Sequence, residues 1–348
     1  MPTEQEWTEI ARASIRELIG DRRAVVWPEV VALLAEPLGT TGRSINPLPL
    51  QRARLQMLRE HELTERAGTT RGGRQVVTIT LPGTAGRTTT AVAARKRLLY
   101  SRYLGWSAGT EAKPGIIGPS LERAVHASLL SAAPVVGYKM LNPSTGQVEV
   151  VAGVTLFPPY GPLDNAFLWQ TWDSGERVAI LVEAKNLRDW VYPGHPELYQ
   201  LLAKAAYVAS ANPDIRVVPV LVCRMAQKNL FYMAKEVGFH VIDTKRQLIS
   251  FRGHGDPDAE EKLAEVRSEL GFFDMLTHDG PHKLIANQFT KTLPRVMKER
   301  AETWTHVGSL FEEIYREIIA ASTTRDRDHS KSELRDAIKQ INDLGLSW

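Results

Sequence analysis

Asp164, Glu183 and Lys185 are two carboxylates and an ammonium that one β-hairpin would bring together. Apolar residues recur at strand-like spacing over 165–172 and 177–183, with Asp173-Ser174-Gly175-Glu176 between them as a turn. If Trp172 pairs with Arg177, opposite residue numbers sum to 349, which sets Asp164 across from Lys185 and Ala166 across from Glu183. Strand side chains alternate, so this register projects Asp164, Glu183 and Lys185 from one face; a one-residue bulge would turn Asp164 to the other. Carboxylates gathered at one strand end repel unless a cation lies between them. Mg²⁺ suits such a place, because it accepts one or two carboxylates, waters and phosphate oxygens. A metal there activates water and neutralises charge at phosphorus, while an ammonium positions or helps deprotonate that water. Phosphodiester hydrolysis is the chemistry these residue types point to.

The surrounding pattern must position them. A helix is expected over 120–132, strands over 135–141 and 148–157, then the hairpin, a helix over 197–210, an apolar strand over 215–223, a helix over 227–237 and a strand over 239–242. This is an α/β segment, a mixed sheet flanked by helices. The order of elements, with Glu122 in Gly118-Pro-Ser-Leu-Glu122, Asp164 in Pro162-Leu-Asp164 and the Glu183-Ala-Lys185 run, resembles the PD-(D/E)XK superfamily of restriction-endonuclease-like nucleases, over about residues 118–245. The resemblance implies that Asp164 and Glu183 bind Mg²⁺ with the Ala184 carbonyl, Mn²⁺ being the alternative cation. It further implies that Lys185 attends the attacking water and that Glu122 is an outer acidic contributor. Two positions depart from the family pattern. Leu163 separates Pro162 from Asp164, and Lys204 stands where a tyrosine would follow Gln200 by four residues.

Charge is unevenly spread. Residues 1–105 hold 16 Lys and Arg against 10 Asp and Glu, whereas 106–348 hold 27 against 30, and 66–110 contain eight basic residues and no acidic one. Such a bias favours phosphate binding. Helical spacing is present over 6–19 and after Pro28, and a third helix is expected from Pro49 with Leu50, Ala53, Met57 and Leu58 inward. Its outward residues are Gln51, Arg52, Arg54, Gln56 and Arg59. A β-hairpin follows, its tip at 68–73. Three helices and a hairpin resemble a winged helix-turn-helix domain. In that architecture the third helix enters the major groove and a basic wing, here Arg71 and Arg74, touches phosphate. A helix over 88–104 adds Arg95, Lys96, Arg97 and Arg102, either as a DNA-contacting face or as a solvated connector.

The expected organisation is thus a winged-helix DNA-binding domain with its basic linker helix at 1–105, a nuclease domain at 106–255 and a helical tail at 256–348. In the tail, Trp304, Val307, Leu310, Phe311, Ile314 and Ile318 form a stripe that suits core packing or a homodimer, and Ser330-Lys-Ser-Glu333 reads as a capping box before a last helix. His278-Asp279-Gly-Pro-His282 lacks helical ligand spacing and reads as an exposed loop. The loop residues Arg188, Trp190, Tyr192 and His195 either contact DNA near the scissile phosphate or pack under the next helix. One cysteine, Cys223, excludes an internal disulfide and a cysteine-built zinc site. With no membrane-length apolar run, a cytoplasmic location is expected. The arrangement, similar to Mrr-like restriction enzymes, implies a DNA endonuclease acting in defence, with double-stranded DNA and a second copy as partners. Two alternatives stay open: a DNA-binding regulator without turnover, and a nuclease for RNA or repair intermediates.

Overall fold

Thr3 caps the first helix, α1 (Glu4–Arg22): its hydroxyl accepts the Glu6 N–H at 3.2 Å while the Glu6 carboxylate accepts the Thr3 N–H at 2.6 Å. The computed structural model describes residues 2–36, 44–70, 73–84, 86–110, 113–170 and 175–343. It is a mixed α/β structure, 55% helix and 18% strand. The chain makes two units, Met1–Ile117 with Leu248–Thr277, and Gly118–Gln247 with His278–Trp348.

In the first unit, α2 (Trp27–Ala35) and α3 (Pro47–Arg59) follow α1. The inward face of α3 is Leu50, Ala53 and Met57, as its spacing predicts, while Leu58, expected beside them, is only partly buried. Strands β1 (Thr64–Thr69) and β2 (Gln75–Thr80) pair antiparallel from Thr64↔Thr80 to Thr69↔Gln75, and Val25 bridges to Ile79. Helix α4 (Arg87–Ala108) buries Leu99, Tyr103 and Trp106 in a cluster with Val266, Phe272 and Met275. The helix Ala259–Leu270 therefore packs in the first unit rather than in a separate tail. Its Leu263, Val266 and Leu270 fill that cluster, and its Glu265 meets Arg95 and Arg102 of α4.

The second unit holds a five-stranded mixed sheet. Helix α5 (Gly118–Val136) comes first, then β3 (Lys139–Met140), β4 (Asn165–Gln170), β5 (Arg177–Lys185), α6 (Pro196–Ala211), β6 (Arg216–Cys223), α7 (Lys228–Val237) and β7 (His240–Asp243). Strand order is β7-β6-β5-β4-β3, with β5, β6 and β7 parallel and β4 antiparallel to both its neighbours. The Val178–Val182 run is buried throughout because β5 is central. Two strand expectations need correction. Pro134 lies inside α5, which runs on to Val136 and leaves only Lys139–Met140 as strand; 148–157 supplies only the short pair Val150–Val151 and Val154–Thr155.

The closing helices α8 (Leu293–His306), α9 (Glu312–Ala320) and α10 (Thr324–Asp343) complete this unit. Trp304, Val307, Phe311, Tyr315 and Ile318 are buried in the same cluster as α6 and β6, so this stripe is core and not a surface left for a second copy. Leu310 alone points out, at 62% exposure. Gly238 ends α7 at φ 93° and leaves no room for a Cβ against the Trp304 backbone, which lets α8 close onto the sheet. Helix α10 starts earlier than the expected capping box: Thr323 accepts the Asp326 N–H at 3.1 Å, and Ser330 sits within the helix. Among the described residues no helix is long and apolar enough to cross a membrane.

Candidate active site

Strands β4 and β5 pair from Asn165↔Val182 to Gln170↔Arg177, so opposite residues sum to 347. The register is two residues from the expected 349 and sets Asp164, just before β4, at the level of Glu183. A two-residue shift keeps side-chain parity, so Asp164, Glu183 and Lys185 still share a face. Asp164 Oδ2 accepts the Ala184 N–H at 2.7 Å, which fixes its carboxyl at the end of β5. Residues 171–174, with the expected strand end Trp172 and with Asp173 and Ser174 of the expected turn, lie outside the described residues.

Glu183 is almost fully buried, and two ammonium groups flank it. Lys185 Nζ is 3.5 Å from Glu183 Oε2 and 3.0 Å from Glu197 Oε2, while Lys204 Nζ ion-pairs with Glu183 Oε1. Lys204 also donates to the Pro162 carbonyl at 2.6 Å, so one buried side chain of α6 ties the approach to Asp164 to Glu183. In the sequence Lys204 stands out only as a departure from a family pattern, and this role is not visible there. The available signal was a lysine among Leu201, Leu202, Ala203, Ala205 and Ala206, all buried. Half-buried Glu122, on α5, lies within electrostatic reach of Lys185 and Glu183. Next to Asp164, Asn165 Oδ1 is 2.9 Å from His126 Nδ1, a second link between α5 and β4.

Burial pushes the Asp164 carboxyl up to about 8; the Glu183 charge adds to the rise, and the Ala184 N–H opposes it. Burial likewise raises Glu122, with Lys185 opposing and Glu183 adding. For Lys185 burial acts against the charge, but Glu183 and Glu197 outweigh it and hold the ammonium above its usual range. Lys185 is therefore a proton-bearing donor at neutral pH and not a ready base. His195 caps α6 by accepting the Glu197 N–H at 3.3 Å, which sets Glu197 toward Lys185.

Among the described residues no group of three or more His, Cys, Asp or Glu side chains is arranged to hold a metal ion. Mg²⁺ asks for fewer: one or two carboxylates, with water and substrate oxygens completing the shell. Asp164 and Glu183 supply hard oxygen donors, and Asp164 is raised first by burial and second by the Glu183 charge, both of which a bound cation would offset. His278 and His282 meet ring edge to face at 5.1 Å in a loop, without a third ligand among the described residues.

The residues expected to bind DNA stay in the first unit, but several are already engaged. Gln51 and Arg59 are exposed on α3, and Arg59 donates to its own Leu55 carbonyl at 3.3 Å. Arg52 pairs with Glu4, and Arg54 pairs with Glu65 and stacks over Trp27 at 4.8 Å. Arg74 donates to the Ser101 carbonyl, and Arg71 lies outside the described residues. On α4 the expected basic face is largely neutralised. Arg95 and Arg102 share Glu265, Lys96 is buried 2.8 Å from Glu29, and Arg97 lies against Gly68 and donates to Thr78. The acids that face α4, Glu29 and Glu265, lie outside the acid-free window, so its local charge count overstated the basic surface. Arg188 is buried, donating to Gln247 at 3.4 Å, which places it under the fold and not at a DNA surface.

Comparison with protein-family models, with curated proteins and with solved structures gives no match.

Proposed function

We propose that this chain is a Mg²⁺-dependent DNA endonuclease, its second unit a restriction-endonuclease-like domain of PD-(D/E)XK type and its first a winged helix-turn-helix reader. The observation that carries the reading is the register of β4 and β5, which sets Asp164 beside Glu183 and hydrogen-bonds it to Ala184, with Lys185 on the same edge. The helix, antiparallel strands, helix and parallel strand of the second unit support the reading.

Asp164, Glu183 and the Ala184 carbonyl would hold the cation, Mg²⁺ or in its place Mn²⁺. When bound, it supplies an activated water and charge neutralisation at the phosphate. Lys185 holds its proton, so its part is to orient that water and donate toward the developing charge on phosphorus. Glu197 gives the Lys185 ammonium a second partner, so Lys185 can leave Glu183 without becoming a lone buried charge. Lys204 keeps Glu183 and the Pro162 backbone in place, and Glu122 adds negative potential at the rim. In the first unit, α3 would present Gln51, Arg52 and Arg59 to the major groove, with Arg74 at the hairpin for phosphate. Two copies about a twofold axis would bring one centre to each strand of the duplex, through a surface other than the buried Trp304 to Ile318 stripe. A role in restriction of foreign DNA would go with this reading, since the proposed order of domains is similar to that of Mrr-like enzymes. The test is incubation of the whole protein with duplex DNA, base-modified DNA and RNA, with Mg²⁺ and with EDTA. Metal-dependent cutting of DNA supports the reading, and no cutting of any of them contradicts it.

A further inference from the structure

Helix α10 carries Lys331, Arg335 and Lys339 at four-residue spacing, one above another on one face. That face looks onto a groove of about 470 Å³ that α7 walls on the other side. Its floor is apolar, with Tyr199 from α6 and Leu334 and Ile338 from α10 itself. On the α7 wall stands Tyr232, 55% exposed, with Lys228 Nζ 5.5 Å from its ring centre. Asn229, on the same wall, offers an amide donor and acceptor. Against these cations the described lining residues include one acid, Glu236, and Lys331 also has Asp328 at 3.3 Å.

Pro193 and Gly194, in the loop that leads from Lys185 to α6, also line the groove. A Cβ on Gly194 would lie 3.0 Å from Lys331 Nζ, so the ammonium rests on that loop. His195, one residue on, feels the charges of both Lys185 and Lys331. The cationic rim thus begins beside the candidate catalytic edge and runs away from it along α10.

We propose that this groove holds a single-stranded stretch of nucleic acid, an unstacked base against Tyr232 and the apolar floor and its phosphates on Lys331, Arg335 and Lys339. The inference rests on the nuclease reading for its direction from the catalytic edge and on the groove alone for its ligand. Volume, apolar floor, aromatic wall and amide suit a planar ring, within the roughly 300–1,000 Å³ of ligand pockets. Cations rising about 6 Å per step along the helix suit successive phosphates. A paired base in a duplex hides its faces in the stack and cannot use Tyr232, whereas stacking on an aromatic side chain is how single strands are held.

The test is fluorescence anisotropy of the full chain in EDTA, with labelled dT12 and with a labelled duplex at several salt concentrations. Arg335→Glu with Lys339→Glu is expected to weaken dT12 more than tenfold and to flatten its log–log salt slope by about 1.4, two single-strand phosphates' share. Tyr232→Ala is expected to weaken dT12 by about fivefold or more, and Tyr232→Phe to restore it, because stacking needs the ring and not the hydroxyl. Duplex binding should change far less. Failure of the wild type to bind dT12, no change in the variants, or an equal loss on the duplex would each overturn the groove's assignment. If dT12 binds as described and no nucleic acid is cut with Mg²⁺, the nuclease reading falls and the groove stands.

Discussion

Lys204 reaches Glu183 from α6 and forms with it an ion pair in which both side chains are almost wholly buried. A second hydrogen bond, to the Pro162 carbonyl, makes this lysine the link between the two carboxylate-bearing strand ends. Breaking a buried pair by removing one partner typically costs about 3–5 kcal/mol, whereas removing both charges together costs far less. Glu183 keeps Lys185 at 3.5 Å, so Lys204→Met is expected to lower the urea midpoint by less than that full cost, and Lys204→Met with Glu183→Gln to recover part of the loss. Additive losses in the double variant would show that the two side chains do not act as a pair.

Asp164 gives the site a pH dependence of definite sign. Its folded pKa is raised, so protonated Asp164 contributes stability that is present below the unfolded value and is lost as pH rises toward about 8. In EDTA the melting temperature should fall over this window, and Asp164→Asn should flatten the fall. A divalent cation binds the ionised form, so Mg²⁺ should raise the melting temperature more at pH 8 than at pH 6. An EDTA profile that rises from pH 6 to pH 8 through Asp164 would contradict the burial argument.

The first unit's arginines divide by their partners. Arg59 is exposed on α3, whereas Arg95 is paired with Glu265 within the unit. Arg59→Ala should weaken duplex binding and lower the log–log salt slope by about 0.9, one phosphate's share. Arg95→Ala should leave DNA affinity unchanged and cost about 0–1 kcal/mol of stability, as exposed pairs do. Salt titrations of both variants against wild type measure the difference.

Trp304 is fully buried among Tyr315 and the α6 and β6 side chains. Trp304→Ala should cost about 3–5 kcal/mol in denaturation, the usual loss for a large core aromatic. Light scattering of the folded variant should report the same oligomeric state as wild type. Dissociation without loss of stability would place this stripe at an interface after all.

The site's face was legible from the chain because alternation survives an even slip: 349 and 347 put Asp164, Glu183 and Lys185 on one side alike. The register itself was not, since both strands are apolar along their length and their pattern fits a sum of 349 as well as the observed 347. Helix faces such as Leu50, Ala53 and Met57 followed from spacing. Long-range charge partners did not. Glu265 lies 163 residues beyond Arg102, and no local window contains both. The same limit hid Lys204, whose meaning depends on a carboxylate 21 residues away on another element.

The most direct measurement of the central claim is the single-turnover rate of duplex cleavage by wild type, Asp164→Asn, Glu183→Gln, Lys185→Ala and Glu122→Ala, each with Mg²⁺ and with EDTA, alongside duplex affinity. The account predicts cleavage by wild type with Mg²⁺ only. It predicts losses of orders of magnitude for the first three variants, a milder loss for Glu122→Ala and nearly unchanged binding throughout. Equal cleavage in excess EDTA, full activity in Lys185→Ala, or no cleavage by the wild type would contradict it.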